Sequence, residues 1–163
     1  MKTANVPGMS KHRVHEVMSR DVVCVDVADT IHDALALMSE NRVSALPVVD
    51  HQNHCIGILS TADLIDMTLD VDDDLYQLDL IDPTSRRFLV DKLAHSLGNE
   101  SVSAYMTEVV TTIRPTTTLA DATGELLRNR IHHLPVVDEK GHLLGIVSTM
   151  DILAESAAEV SVD

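Results

Sequence analysis

The chain contains the same stretch of sequence twice. Residues 14–67 align with residues 102–155 at a constant offset of 88 without a gap, and 19 of the 54 aligned pairs are identical. The longest identical run is Leu46–Asp50, which recurs as Leu134–Asp138. A repeat of this length is one supersecondary unit used twice, so we expect a pseudo-two-fold axis with paired ligand sites near it. We therefore predict two domains at these boundaries, separated by an insert of residues 68–101.

Composition limits what the chain can bind. Its 163 residues can form a sizeable core, and because aromatic residues make up only 2%, that core must be aliphatic. The net charge of −14 argues against nucleic acid and against an anionic membrane surface, since both need clustered Lys and Arg. The charge is −7 over residues 14–67 and −3 over residues 102–155, so the second repeat is the less repulsive one for an anion.

The cysteines and the hydropathy pattern bear on location. Cys24 and Cys55 are not spaced as a redox or metal pair. The sequence has no signal-type apolar segment and no apolar run of the roughly 18 residues that a membrane helix needs. We expect buried, reduced thiols and a cytoplasmic location.

Each repeat has the pattern of a small α/β unit. In the first copy, Val22–Val25 is β-branched and predicts a strand, and Thr30 can cap the amphipathic helix that follows. Ala45–Val49 and Cys55–Leu59 predict a β-hairpin that leads directly into a second helix. Pro47 requires the first hairpin strand to lie at an edge or to start near the proline. The predicted order is β-α-β-β-α, and since one copy is too small to cover its apolar face, the two copies should pack together.

The insert contains an acidic run and a predicted helix. Asp70–Asp74 has the ligand spacing that begins a calcium loop. However, Leu75 and Ile81 stand where such a loop needs Gly and Glu, so we interpret the run as a solvated acidic helix start. Leucines at every fourth position within residues 84–98 predict an amphipathic helix that docks on the repeats or on a second subunit.

The junction between the last strand and the last helix of each repeat is the candidate site. Ser60, Thr61 and Asp63 stand at this corner, where exposed N–H groups and the helix dipole favour an anion. A carboxylate can accept hydrogen bonds from vicinal ribose hydroxyls. Aliphatic side chains that could flank a base lie nearby in the sequence: Val43, Leu46 and Pro47.

The second copy offers the same set of groups. The corner residues are Ser148, Thr149 and Asp151, and the aliphatic ones are Ile131, Leu134 and Pro135. A single corner of this type is usually an ordinary helix cap worth about 1 kcal/mol. Two copies at equal offset, each after the same hairpin, favour a nucleotide site over a cap alone.

The pattern resembles the cystathionine-β-synthase (CBS) domain. The features that carry the resemblance are the opening Val14 and Met18, the hairpin run Leu46–Asp50 and the Ser-Thr-x-Asp corner, each present in both copies. The resemblance implies an α/β Bateman module of two CBS repeats. Its two clefts would bind adenosine-containing ligands such as AMP, ADP, ATP, S-adenosylmethionine or NAD, with the Asp on the ribose and the Ser or Thr on ribose or phosphate.

The two copies differ where phosphates would be bound. Ile131–Val136 is similar to the family's frequent Ile-His-Arg-Leu-Pro-Val, with His132 at the His position and His133 where Arg is common. The first copy has serine and alanine there, while Arg42 and Arg130 remain candidates in both copies. Neighbours on a strand face opposite sides, so we expect at most one of these histidines to reach a given phosphate; either could also be a plain surface residue. Our hypothesis is that the sites differ and that His132 improves polyphosphate recognition.

The leading interpretation is a ligand-sensing regulatory module rather than an enzyme. The sequence shows no nucleophile–base pair and no P-loop lysine, so we expect no required cofactor beyond the regulatory ligand, a homodimer, and an effector protein. One alternative is a structural or interaction module with degenerate clefts. Another is a metal protein or enzyme built on the local cluster of His51, His54 and Cys55.

Overall fold

The structure is a computed structural model that describes residues 9–68, 84, 91, 95, 97–108 and 111–160. Its elements in chain order are α1 Val14–Val17, β1 Val25–Asp26, α2 Ile31–Asn41, β2 Ala45–Val49, β3 Cys55–Ser60, α3 Thr61–Thr68, α4 Val102–Tyr105, α5 Leu119–Asn129, β4 His133–Val137, β5 Leu143–Ser148 and α6 Thr149–Val160. None of the helices in these ranges has both the length and the apolarity needed to cross a bilayer.

The chain divides into two compact units. We call the first unit Val23–Gln52 with Ile56–Val110, and the second unit Met1–Val22, Asn53–Cys55 and Thr111–Asp163. The units do not coincide with the sequence repeats, because the opening segment of each repeat is grouped with the other repeat. The domain boundaries that we drew from the repeat therefore stay a prediction.

The predicted β-α-β-β-α order is confirmed in the first repeat. Its three strands form one sheet in the order β1-β2-β3, with Val25 of β1 opposite Val48 of the parallel strand β2. In the second repeat β4 and β5 are antiparallel, and the first strand is reduced to a parallel bridge between Ile113 and Val136. The predicted strand Val22–Val25 is correspondingly short, since pairing begins only at its last residue.

The hairpin proline lies in a central strand. β2 stands between β1 and β3 and starts two residues before Pro47. The strand therefore starts near its proline, as the second of our two alternatives requires, and does not lie at an edge. The second repeat shows why the proline is tolerated. The carbonyl of Pro135 accepts from the N–H of Ile113 at 3.1 Å, and the N–H of Val137 donates to the carbonyl of Ile113 at 2.9 Å. On that side the strand needs only an acceptor from its proline, so the missing N–H costs no hydrogen bond.

The helix caps are as predicted. The side chain of Thr30 accepts a hydrogen bond from the N–H of Asp33 at the start of α2. Thr118 and Asp121 repeat this arrangement at the start of α5. Each cap satisfies a backbone donor that would otherwise lack a partner in the first helical turn.

Each unit has its own aliphatic core. The first unit buries mainly Val25, Ile31, Leu35, Leu46, Leu59 and Leu64. The second buries Val14, Leu119, Leu126, Leu134, Val136 and Val147. This agrees with the low aromatic content, since β-branched and γ-branched aliphatic side chains fill both cores.

The insert is described only in part. Thr84, Asp91, His95 and Leu97 are helical, and Leu97 is buried in the core of the first unit, as a helix docked on the repeats requires. The carbonyl of Glu100 then accepts from the N–H of Ile31 at 2.8 Å. Gly98 is described as part of a turn, and the other residues of the predicted helix and the acidic run Asp70–Asp74 lie outside the described residues.

Each opening segment extends a hairpin of the other repeat. Ser19 and Ile146 exchange backbone hydrogen bonds of 2.9 and 3.0 Å in the second unit. Thr107 and Ile58 do the same in the first unit, at 2.9 and 3.1 Å. The strand that leads to each candidate corner is therefore held on both sides.

Candidate functional site

The corner of the first unit is formed by the direct passage from β3 into α3. Ser60 ends the strand and Thr61 begins the helix. The N–H and Oγ of Ser60 donate to Oδ2 of Asp63 at 2.9 and 2.6 Å, and the N–H of Asp63 donates back to Oγ of Ser60 at 3.1 Å. The N–H of Thr61 donates to the carbonyl of Ser44 at 3.0 Å. The corner is thus a reciprocal cap tied to Ser44, the residue just before β2.

The corner of the second unit has the same geometry. The N–H and Oγ of Ser148 donate to Oδ2 of Asp151 at 2.7 and 2.8 Å, and the N–H of Asp151 donates back to Oγ of Ser148 at 3.2 Å. The N–H of Thr149 donates to the carbonyl of His132 at 3.0 Å. The capping interpretation is therefore correct for both corners, and any ligand role must be compatible with it.

One carboxylate oxygen at each corner remains for a ligand. Two donors already use Oδ2, which is its ordinary capacity. In the described part of the chain no hydrogen bond reaches Oδ1 of Asp63 or of Asp151. Both side chains are half-buried rather than enclosed. A sugar hydroxyl can therefore donate to Oδ1 while the cap stays intact, whereas a ligand that needs both oxygens would have to compete with the serine.

The aliphatic residues near the corners divide by burial. Leu46 and Leu134 are fully buried in the two cores, so they support the corners from beneath. Val43 and Ile131 are only half-buried, which leaves them as the side chains that a flat base could contact. Pro47 and Pro135 are buried within their strands.

A comparison with known protein families decides what these corners belong to. The family model of the CBS domain matches residues 14–70 and 102–158. The chain belongs to the CBS-domain family. It carries two CBS domains in tandem, the arrangement of a Bateman module, and the corner of each CBS repeat lies inside one match.

Individual relatives agree with this assignment. An uncharacterized protein of Methanocaldococcus jannaschii, MJ1426, is 30% identical over 149 residues, which cover 86% of this chain and 88% of the relative. CBSX1, a chloroplastic CBS domain-containing protein of Arabidopsis thaliana, is 28% identical over 159 residues, which cover 94% of this chain and 67% of the relative. The crystal structure of CBSX2 in complex with AMP superposes with a TM-score of 0.67 at 28% identity, covering 92% of this chain and 98% of the other.

An arginine stands at the same strained position in each CBS repeat. Arg42 follows the last residue of α2 and Arg130 follows the last residue of α5, and both adopt the left-handed conformation, with φ of 55° and 53°. This region suits glycine, and another residue there costs about 1–2 kcal/mol. Both side chains are exposed. An arginine kept twice at a glycine position is consistent with a role for its charge.

The two histidines that follow differ in exposure. His132 is exposed and its carbonyl accepts from Thr149, whereas His133 is half-buried at the start of β4. The corresponding residues of the first CBS repeat, Ser44 and Ala45, carry no charge. The second corner therefore has two histidine side chains beside it where the first corner has a serine and an alanine.

The structure contains a histidine pair, His54 and His142, that local sequence patterns do not predict. The rings of His54 and His142 are stacked with centroids 4.6 Å apart and planes inclined by 16°. The signal was present in the sequence, because these two histidines are one of the identical pairs at the 88-residue offset. We interpreted His54 only as a member of a local cluster, since the contact is made across the repeat.

The aspartate beside this pair gives a prediction for acid stability. Nδ1 of His142 lies 2.8 Å from Oδ2 of Asp138, and this hydrogen bond lowers the pKa of Asp138 from 3.8 to about 2. A lowered pKa stabilises the fold above the ordinary value, and that contribution is lost as the pH falls from about 4 to about 2. The Asp138→Asn variant should lose this part of the pH dependence of its unfolding midpoint. Glu139→Gln, which removes the neighbouring charge, should keep it; equal acid limbs for Asp138→Asn and the wild type would contradict the assignment.

Proposed function

We propose that the chain is a regulatory module that binds an adenosine-containing ligand at its two corners. The observation that carries this proposal is the duplicated aspartate, Asp63 and Asp151, with Oδ2 engaged in the cap and Oδ1 left for a ribose hydroxyl. The AMP complex of CBSX2, which shares 28% identity with this chain, supports the same ligand class here.

The other groups of each corner complete the assignment. Thr61 and Thr149 stand at helix N-termini, where N–H groups favour phosphate or a second ribose oxygen. Val43 and Ile131 offer aliphatic surface to the base. AMP, ADP, ATP, S-adenosylmethionine and NAD all present the adenosine that these groups would recognise, and the ligand is regulatory rather than a required cofactor.

The response to the ligand would pass through partners. A bound ligand shifts a conformational equilibrium only by its differential affinity for the two states. We infer a homodimer and an effector protein in the cytoplasm, without a catalytic step in this chain. The apolar Met150 and Leu153, which are 70% and 55% exposed on α6, support an association surface. The half-buried Cys24 and Cys55 are not joined in a disulfide, which suits a reducing compartment.

The proposal is tested by thermal unfolding with a panel of AMP, ADP, ATP, S-adenosylmethionine and NADH. A working site should stabilise the protein by about 2–3 kcal/mol at a hundredfold excess of ligand over its Kd. No shift with any member of the panel would contradict the proposal and favour a structural module with degenerate clefts.

We further propose that the two sites are not equivalent and that the second favours polyphosphates. The support is the difference between the corners, where His132 and His133 stand against Ser44 and Ala45. His132→Ala should weaken ATP binding at one site by about fivefold, the usual upper range for an exposed charged contact, and should leave adenosine binding unchanged. Calorimetry that finds two equal sites, both indifferent to the substitution, would contradict this.

The arginines give a prediction in which stability and binding move in opposite directions. Arg130→Gly relieves left-handed strain but adds backbone freedom to the unfolded chain. The unfolding free energy should therefore rise by about 0.5–1 kcal/mol while affinity for a phosphate-bearing ligand falls. Urea unfolding and calorimetric titration measure the two effects. Arg128→Gly, which lies inside α5, should lower stability instead; a loss of stability in Arg130→Gly would contradict the strain argument.

A metal protein is the remaining alternative. In the described ranges no group of three histidine, cysteine or acidic side chains is placed to hold a metal ion. His54 is engaged in a ring stack with His142, and in-plane lone pairs of stacked rings do not converge on one ion. Metal analysis of the purified protein tests this alternative, which stoichiometric zinc or iron would revive.

A further inference from the structure

The second unit carries an exposed basic surface around the turn formed by residues 114–117. Nη1 of Arg13 donates to the carbonyl of Thr116 in this turn at 3.1 Å. Nη2 of Arg20 donates to the carbonyl of His15 at 3.0 Å, and the N–H of His15 is itself bonded to the same turn. Arg114 begins the turn. We call the surface of these three exposed arginines the basic face: Arg13, Arg20 and Arg114.

The guanidinium groups of the basic face are bound to backbone carbonyls. Nη1 of Arg114 donates to the carbonyl of Val137 at 3.3 Å, and in the part of the chain that the structure describes no carboxylate pairs with any of the three arginines. The carboxylate of Glu16 lies 2.8 Å from Nδ1 of His12 and accepts from the backbone N–H of Arg13 at 3.0 Å. Each guanidinium has five N–H donors and keeps its full charge when bound to a carbonyl, so the basic face can still bind an anionic surface.

The equivalent surface of the first unit has the opposite charge. At the 88-residue offset the exposed Glu108 takes the place of Arg20. The half-buried Asp26 takes the place of Arg114. Glu100, which is exposed, lies one residue before the start of the same segment. We call this surface the acidic face, and its carboxylates are Asp26, Glu100 and Glu108.

The contrast persists when all the ionised groups of the two surfaces are counted. Residues 11–21 together with Arg114 have a net charge of +2, although Glu16 and Asp21 lie among them. The equivalent residues 99–109 together with Asp26 have a net charge of −3 and contain no Lys or Arg. Both faces are built on the same framework, since a four-residue helix, α1 or α4, precedes the opening segment in each. The two faces are therefore alike in backbone and opposite in charge.

We propose that the two chains of the homodimer associate antiparallel, with the basic face of one copy against the acidic face of the other. The proposal rests on the homodimer of the proposed function and does not depend on which ligand the corners bind. In a two-fold dimer each such contact is made twice. In a parallel arrangement like charges would meet on both faces, which is unfavourable. Charge complementarity of this kind acts mainly on orientation and on the choice of partner, while affinity comes from other surface.

Sedimentation equilibrium of the full-length protein measures the dissociation constant of the dimer and tests the orientation. Reversal of the basic face with Arg20→Glu and Arg114→Glu should weaken the dimer about tenfold, the order expected for a few exposed charged contacts made twice. Reversal of the acidic face with Glu100→Arg and Glu108→Arg should weaken it by a similar factor, although this change brings the net charge closer to zero. A chain with all four substitutions should regain the wild-type dissociation constant, because its two faces have exchanged their charges.

A matched variant separates the two faces from the net charge of the chain. Lys140→Glu combined with Arg128→Glu changes the net charge as much as reversal of the basic face does, but both residues lie outside the two faces, so the dimer should be nearly unchanged. A tighter dimer after reversal of the acidic face would show that net charge alone matters and would overturn the proposal.

Two further outcomes distinguish the orientation from the homodimer itself. A dimer that neither reversal weakens would overturn the antiparallel orientation, while the homodimer would stand and the basic face would be left for a different acidic partner. A wild type that stays monomeric would overturn both. Thermal unfolding checks that each variant is folded, and if one reversal prevents folding, the other tests the orientation independently.

Discussion

The Asp151→Asn variant will bind an adenosine ligand about ten- to a hundredfold more weakly at the second corner, with nearly unchanged stability. Asp151 stands at the third position of α6, where an amide serves as well as a carboxylate in a capping box, so the hydrogen bonds from Ser148 persist. The variant loses the ionised Oδ1, and a hydrogen bond to a charged group contributes about 1.5–3 kcal/mol. Calorimetric titration gives the affinity, and thermal unfolding without ligand gives the stability.

The chain supplies a matched control for this substitution. Asp121 stands at the third position of α5 and pairs with the capping Thr118, accepting from its Oγ1 at 2.7 Å and donating its N–H back at 3.0 Å, but it stands at no strand-to-helix corner. Asp121→Asn should leave binding unchanged, and Asp63→Asn should weaken the first site as Asp151→Asn weakens the second. Equal effects of Asp121→Asn and Asp151→Asn on affinity would show that these substitutions weaken binding only by changing helix stability, which would contradict a direct contact with the ligand.

The Gly145→Ala variant will be destabilised by about 2–3 kcal/mol. A Cβ at this position would lie 2.7 Å from Sδ of Met18 and 2.9 Å from the carbonyl oxygen of Ser19. The methionine can move, but Ser19 is fixed by its two hydrogen bonds to Ile146, so the strand must shift, and overpacking of this kind usually costs 1–3 kcal/mol. Urea unfolding measures the loss. Gly57→Ala should cost somewhat less, since the nearest backbone oxygen is 3.1 Å away.

A glycine of the same unit serves as the control. Gly124 lies within α5, where a Cβ would meet only Nη2 of Arg128 at 3.6 Å. Gly124→Ala should raise stability by about 1 kcal/mol, the usual gain from removing a helical glycine. Adding Met18→Ala to Gly145→Ala should restore little, because the oxygen of Ser19 remains. Full recovery in that double variant would place the conflict at the methionine alone.

Local patterns in the sequence predicted the elements and the corner. The order of strands and helices, the cap at Thr30 and the helix cap at each corner depend on residues within four positions of one another. Periodicity and capping chemistry act over that distance. The duplication strengthened each of these predictions, because every signal was present twice.

Contacts between distant segments could not be predicted in the same way. The pairing of Ser19 with Ile146 joins residues far apart in the chain, and no local pattern indicates that an opening segment extends the other repeat's hairpin. A glycine such as Gly57 or Gly145 permits a close backbone approach, but only the structure shows that the approaching group is the opening segment. Side-chain identity also does not show which carboxylate oxygen of Asp63 and Asp151 is left for a ligand. That depends on the three-dimensional geometry of the cap.

The central claim is that the aspartate corners are the ligand sites. Isothermal titration calorimetry of the full-length protein, with the panel ligand that gives the largest thermal shift, tests it most directly when the wild type is compared with the double variant Asp63→Asn, Asp151→Asn. The account predicts saturable binding at one or two sites per wild-type chain and a loss of at least tenfold in affinity in a folded double variant. Wild-type affinity and stoichiometry in the double variant would contradict it.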